Sequence, residues 1–335
     1  MRSPPARGER RIDALDSLRG IAILMVLASH LLPPALRLPA APPALEGVGR
    51  GGVILFFLLS GYLIFGNVRR QPTAIFLRRR LFKILPSYWL SLACIAALDW
   101  GLSGAAHFPW RVYLTNFLMI PDLTADPEVS GVYWTLLIEV KFYLFIAIQY
   151  AILKERFLLG IAGALIASSV ALFAVRGHGS QLLACFPAFY VGIYMSRAEE
   201  RGWRAPACAA LAAVTLAAAA GMIVALPDER LWSAVYLVGG ALLFALFLRY
   251  RLGHRWLGFL GMTSYNNYLY HALVGGLVFA AIGGGPAPAI IVLAVSTGLA
   301  VVLYRTVEQP LVRLGRRWEA MTPGAASGLR EPASP

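Results

Sequence analysis

The chain has 335 residues, 59% hydrophobic and only 14% charged, with mean hydropathy +0.66 and formal net charge +13. Soluble domains carry about a quarter charged residues, so the composition excludes a soluble enzyme and predicts an all-α, polytopic membrane bundle. The positive charge lies in short clusters beside apolar runs with no aromatic-interleaved groove, which excludes a nucleic-acid partner.

Ten spans are predicted at about 18–36, 51–66, 84–99, 131–153, 156–175, 181–196, 206–226, 231–248, 256–282 and 287–308. Arg2, Arg7, Arg10 and Arg11 precede the first without a small-residue cleavage site, so it reads as a retained anchor. Within LDSLRGIAILMVLASH (residues 15–30), Arg19 and His30 are eleven residues apart, about 16 Å along a helix. With Arg19 at a membrane surface, His30 lies near the middle of a roughly 30 Å hydrocarbon slab. A polar side chain there is read as functional by default; the bland alternative is a neutral histidine making one interhelical hydrogen bond.

The second span carries Ser60-Gly61, which reads either as close packing through small residues or as a polar site. Arg78, Arg79, Arg80 and Lys83 lead into the third span, with Pro86 expected in its first turn. Residues 100–130 form the longest connection and contain Trp110, Asn116, Asp122, Asp126 and Glu128; its content predicts a packed lid or a partly re-entrant piece. The fourth span, VYWTLLIEVKFYLF, carries Glu139 and Lys141. Residues two apart on a helix face different ways, so each needs a partner elsewhere. The ninth, TSYNNYLYH, packs Ser264, Tyr265, Asn266, Asn267, Tyr268, Tyr270 and His271 together, which predicts a wet cavity. Arg305 and Glu308 fall near the end of the tenth. The tail from about residue 320 is rich in Pro, Gly, Ser and Ala and reads as disordered.

Lys and Arg outside the spans divide 23 to 5 between the two sides, which places both termini in the cytoplasm. The expected organisation is a cytoplasmic segment 1–17, a membrane unit 18–310 and a largely disordered cytoplasmic tail 311–335. No appended soluble domain is expected. Cys94, Cys185 and Cys208 all lie in apolar runs without metal spacing and read as small buried residues. No metal is expected, and membrane lipids are the expected surroundings.

These blocks resemble the acyltransferase-3 family of integral membrane acyltransferases. LDSLRGIAILMVLASH is similar to the family's opening block, including its Arg-x10-His spacing. GGVILFFLLSGYLIF resembles G-V-D-L-F-F-V-L-S-G-F-L-I, and FLRRRLFKILPSYWL resembles R-R-x-x-R-I-x-P-x-Y-W. WTLLIEVKFYL is similar to W-S-L-x-V-E-E-Q-F-Y-L, SYNNYLYH to S-Y-S-L-Y-L-W-H, and VEQP to I-E-R-P. The chain departs from the pattern at Ile54 (acidic in the family), at Lys83 (the second Arg of an R-x-x-R pair) and at Val140-Lys141 (Glu-Gln).

The resemblance implies transfer of a short acyl group, commonly acetyl, from cytoplasmic acyl-CoA to a hydroxyl. That hydroxyl is typically carried by a surface polysaccharide, lipid-linked glycan or secondary metabolite in a bacterial cytoplasmic membrane. His30 is then the candidate general base, oriented by Glu139 or another carboxylate, or else the carrier of a covalent acyl group. His271 is a candidate for binding the acceptor or polarising the thioester carbonyl. Arg19, Arg80 and Lys83 would hold CoA phosphates, and Ser60, Asn116, Trp134, Tyr265 and Tyr268 would contact substrate. The rival class is a transporter or flippase whose polar residues line a permeation route; a third is a ligand-binding membrane protein without the chemistry.

Overall fold

A computed structural model describes residues 7–103, 107–156, 158–176, 180–225 and 230–320. Ten long helices correspond in order to the ten predicted spans: α1 (Arg7–Ala35), α2 (Pro43–Val68), α3 (Thr73–Ser103), then, after two short helices α4 (Trp110–Phe117) and α5 (Pro121–Thr124), α6 (Tyr133–Leu153), α7 (Leu158–Arg176), α8 (Gln181–Glu200), α9 (Ala205–Ala225), α10 (Arg230–Tyr250), α11 (Arg255–Ile282) and α12 (Pro286–Leu303). A π-helical turn, Tyr304–Glu308, joins α12 to a last helix, α13 (Gln309–Ala320). Of the largely disordered tail expected at 311–335, residues 311–320 are instead helical, continuing α13, and residues 321–335 lie outside the described residues.

Among the described residues, eight helices are long and apolar enough to cross a membrane. Two long helices are not among them: α8, which is interior, and α11, which is buried along its middle. In α8, 14 of 20 residues are buried, and α11 buries Ser264, Asn266, Asn267 and His271. By contrast, of the three most apolar windows those in α7 and along α12 are only 17% buried and that in α9 39%. A helix whose neighbours are protein can carry polar groups; one whose neighbours are lipid must be apolar all round.

Backbones approach closely where glycine permits it. A Cβ on Gly61 would overlap the carbonyl of Phe189, and one on Gly192 would overlap the carbonyl of Leu58, so α2 and α8 cross main chain to main chain. Gly20 and Gly261 do the same for α1 and α11, against Leu257 and Asp16. Small residues drive such packing in membranes, where burial of apolar surface from lipid gives little. Gly192→Val is therefore expected to destabilise the detergent-purified protein by about 1–3 kcal/mol, read as a fall in its thermal midpoint. Gly66→Ala, with nothing within 4 Å of the added carbon, is the control and should leave the midpoint level or raised.

At one end of the bundle the basic segments meet. Arg69 pairs with Glu155 at 2.7 Å and Glu200 at 2.8 Å, Arg197 with Glu155 at 3.3 Å, and Arg251 with Glu199 at 2.9 Å. The Ser17 hydroxyl accepts from the His254 amide at 2.9 Å. At the other end, Arg37 Nε donates to the Gly284 carbonyl at 3.2 Å.

Pro86 is not in a first turn. The basic run 78–83 is itself helical, because Arg, Lys and Leu propagate a helix well; α3 begins at Thr73 and Pro86 lies inside it.

The connection 107–130 is a partly re-entrant piece. Tyr88 and Trp89, about fifteen residues from either end of α3, donate to the carbonyls of Asn116 at 2.8 Å and Phe117 at 3.0 Å. The loop thus turns back half-way along α3. It is pinned to α6 by the Lys141–Asp122 ion pair. Asp126 holds it internally: the Thr124 hydroxyl at 2.7 Å and the Arg111 guanidinium keep this carboxyl below the usual carboxylate range, against a smaller opposing effect of burial.

Candidate active site

Two helices, α6 and α11, present sets of polar residues to one space by their spacing, and two more, α1 and α3, supply its cations. On α6, Thr135, Glu139 and Tyr143 recur every four residues and share a face. On α11, Ser264, Tyr265 and Tyr268 do so, and on α1 and α3 Arg19, Arg80 and Lys83 close one end. Together they line a cavity of about 310 Å³ that also touches Asp16, Phe56, Ser60, Tyr304 and Glu308. The π-helical turn places both Tyr304 and Glu308 on its wall, a distortion that often marks function.

The end toward the basic segments holds three cations and two of the three carboxylates. Arg19 pairs with Asp16. Glu308 accepts from Asn266 Nδ2 at 2.8 Å and is buried. Among the described residues neither Arg80 nor Lys83 is ion-paired. The Arg80 guanidinium lies over the rings of Phe76 at 5.8 Å and Tyr143 at 5.9 Å, and its buried Nε has no hydrogen-bond partner. A guanidinium held by aromatic faces keeps its donor edges for something else.

Midway up the wall, Glu139 accepts from both the Ser60 and Tyr143 hydroxyls. This divides the Ser60-Gly61 pair: Gly61 serves the α2–α8 crossing and Ser60 faces the cavity. Ser60 and Tyr143 are the partners that Glu139 needed, and Lys141 has its own in Asp122. The inner end is closed by Tyr268, whose hydroxyl shares a hydrogen bond with Thr135 at 2.6 Å and whose ring stands edge-on to Phe56. One turn beyond Tyr268 is His271. Its Nε2 lies 2.9 Å from Nδ1 of His30, and its Nδ1 lies 3.0 Å from the Asn267 carbonyl. His271 is buried, whereas His30 is exposed, five residues from the end of α1.

The expected partner of His30 was a carboxylate, Glu139 or another. The structure corrects this: His30 bonds His271, and Glu139 is held one compartment away by Ser60 and Tyr143. Arg19, Arg80, Lys83, Ser60, Glu139, Tyr265 and Tyr268 are brought to the one cavity; Tyr265 also spends its hydroxyl on the Ile84 carbonyl at 2.6 Å. Asn116 and Trp134 do not line it. Asn116 is fully buried and spends its amide inside the re-entrant loop, donating to Val112 and Pro127 carbonyls at 2.8 and 3.0 Å and accepting from the Val129 amide at 3.2 Å. Trp134 faces Arg50, whose guanidinium is 5.9 Å from its ring centroid. Thr135, Tyr143 and Tyr304 went unselected in the sequence, although Thr135 and Tyr143 sit at four-residue spacing from Glu139.

A sequence model of the acyltransferase domain matches residues 12–305. Among curated proteins the chain is 28% identical to the acyltransferase MdmB of Streptomyces mycarofaciens, over 92% of this chain and 93% of that one. It is 28% identical to the exopolysaccharide production protein ExoZ of Rhizobium meliloti (strain 1021), over 85% and 96% respectively. A shorter stretch, 28% of the chain, is 27% identical to nodulation protein 10 of Rhizobium leguminosarum bv. viciae. No solved structure matches significantly. The domain match takes in every residue of the cavity but Glu308, together with both histidines; the chain is a multi-pass membrane acyltransferase and belongs to the acyltransferase-3 family.

Proposed function

We propose that the protein moves a short acyl group, acetyl in the simplest case, from cytoplasmic acyl-CoA to a carbohydrate hydroxyl of an exported glycan, in a bacterial cytoplasmic membrane. The observation that supports this reading is the cavity itself. It has two cations at one end, Arg80 and Lys83, that are not ion-paired among the described residues and suit the phosphates of a CoA, and it ends at Tyr268, one turn short of the His271–His30 pair. In this reading the donor enters from the basic end and its thioester stops near Thr135 and Tyr268. The acceptor approaches His30 from the exposed side, and an imidazole removes the hydroxyl proton as the oxygen attacks. ExoZ carries exopolysaccharide production in its name, which favours a carbohydrate acceptor over a secondary metabolite.

Purified protein in vesicles, given acyl-labelled acetyl-CoA and a lipid-linked or soluble glycan acceptor, is expected to release free CoA only when the acceptor is present. Label crossing the bilayer with no thioester consumed would replace this reading by a permeation route.

The reading also needs a cytoplasmic basic end. The 23-to-5 split of Lys and Arg favours it, as does the meeting of the segments at 69, 155, 197–200 and 251–254 at one end of the bundle. A reporter active only in the cytoplasm, fused after residue 320, is expected to be active. A cysteine introduced at position 78 is expected to resist labelling from outside; labelling there reverses the orientation and places the donor site on the wrong side.

A further inference from the structure

The two histidines determine each other's protons. Nδ1 of His271 lies 3.0 Å from the carbonyl oxygen of Asn267, one turn back along α11. A carbonyl only accepts, so this nitrogen carries a hydrogen. A neutral imidazole has a single N–H, which leaves Nε2 of His271 bare. Nε2 is the atom facing Nδ1 of His30 at 2.9 Å, so the hydrogen between the rings belongs to His30. The unshared pair of His30 is then on Nε2, the nitrogen that does not face His271. Neutrality of His271 follows from its surroundings: it is 1% exposed, and its ring nitrogens meet the Asn267 carbonyl and His30, with no carboxylate bonded to it among the described residues. A buried imidazolium so placed would be an uncompensated charge.

We propose that His271 is a positioning residue: the relay from the Asn267 carbonyl through His271 to His30 fixes His30 as its Nδ1–H tautomer and presents Nε2 as the basic atom to the acceptor hydroxyl. This rests on the reading of His30 as the general base. In the transfer step the acceptor O–H bond breaks as its oxygen bonds the acyl carbon, and the proton goes to His30 Nε2. The C–S bond breaks with its electron pair leaving on the CoA sulfur, and the proton is passed from Nε2 to that sulfur or to water. While His30 is an imidazolium, its Nδ1–H bond to His271 becomes charge-assisted and strengthens. The pair therefore favours the protonated base at the moment it forms, with no carboxylate in contact. Tyr268 keeps the arrangement in place from the cavity side, its ring centroid 6.0 Å from that of His271.

The tautomer is read directly in the resting protein. With ¹⁵N-labelled histidine, and with His30→Gln assigning the signal by its disappearance, the wild type is expected to show a proton on Nδ1 of His30 and an unprotonated Nε2. A proton on Nε2 instead overturns the proposal. His271→Leu is expected to lower kcat by about 10- to 100-fold, the usual cost of losing a histidine's orienting partner, with the KM for acyl-CoA unchanged. His271→Gln, which restores an acceptor opposite Nδ1, is expected to recover most of the loss. Equal activity in the Leu and Gln variants overturns the proposal. Should the Leu variant fail to fold, the wild-type spectrum alone decides. If His30→Gln is fully active, the base reading fails, and the spectrum still reports separately whether His271 sets the tautomer.

Discussion

Replacing His30 with glutamine is expected to lower acyl transfer by roughly 10²–10⁴-fold, the range a positioned general base contributes, while the variant inserts and purifies as the wild type does. Glutamine keeps a polar side chain of similar reach, so the hydrogen bond toward His271 has a replacement partner, and the loss reports chemistry more than fold. A covalent role makes a different prediction from the same variant: loss is then close to complete. In that case wild-type protein given labelled acyl-CoA without acceptor retains label through a rapid denaturing quench. Turnover without retained label favours the base. Transfer by His30→Gln at the wild-type rate removes both mechanisms and leaves a packed, hydrogen-bonded histidine whose only role is to tie α1 to α11.

The sequence made the bundle legible because membrane spans are written in composition: ten apolar stretches of spanning length became ten long helices in the same order. Side-chain faces were partly legible too. Glu139 stands four residues from both Thr135 and Tyr143, and Tyr268 stands four from Ser264, so each set lies on one side of its helix. What could not be read was which helix lies opposite. His30 and His271 are 241 positions apart, and Ser60 and Glu139 are 79 apart; no periodicity links them. A carboxylate was the natural partner to expect for a base, and the crossing of α1 with α11 put a second imidazole there instead. Asn116 failed for a related reason. A polar residue in a long connection is as apt to satisfy that loop's own backbone as a ligand, and only the reversal of the chain at Tyr88 and Trp89 tells which. Pro86 shows the limit on boundaries: hydropathy finds where a helix enters the membrane, and α3 begins eleven residues before the predicted span.

Arg80→Ala is expected to raise the acyl-CoA concentration at half-maximal rate by about 10- to 150-fold, corresponding to loss of one charged phosphate contact of about 1.5–3 kcal/mol. The competing account is that residues 78–83 set topology and hold anionic lipid. Geometry separates Arg80 from its neighbours. It lines the cavity, it is not ion-paired among the described residues, and its guanidinium rests on Phe76 and Tyr143. Tyr143 in turn bonds Glu139, so truncation to alanine removes packing as well as charge. Arg80→Lys resolves the two contributions: the ammonium keeps the charge but not the planar fork or its stacking on the rings. If phosphate binding is what Arg80 supplies, the lysine variant falls between wild type and alanine in donor dependence, and kcat at saturating donor stays near wild type in both. If Arg80 serves only packing or lipid, donor dependence is unchanged in every variant that inserts, and the defect shows as lost stability. Lys83, already an ammonium where the family pattern has arginine, then marks the weaker of the two contacts. Lys83→Arg is expected to tighten the donor, the opposite direction from Arg80→Lys at the same mouth.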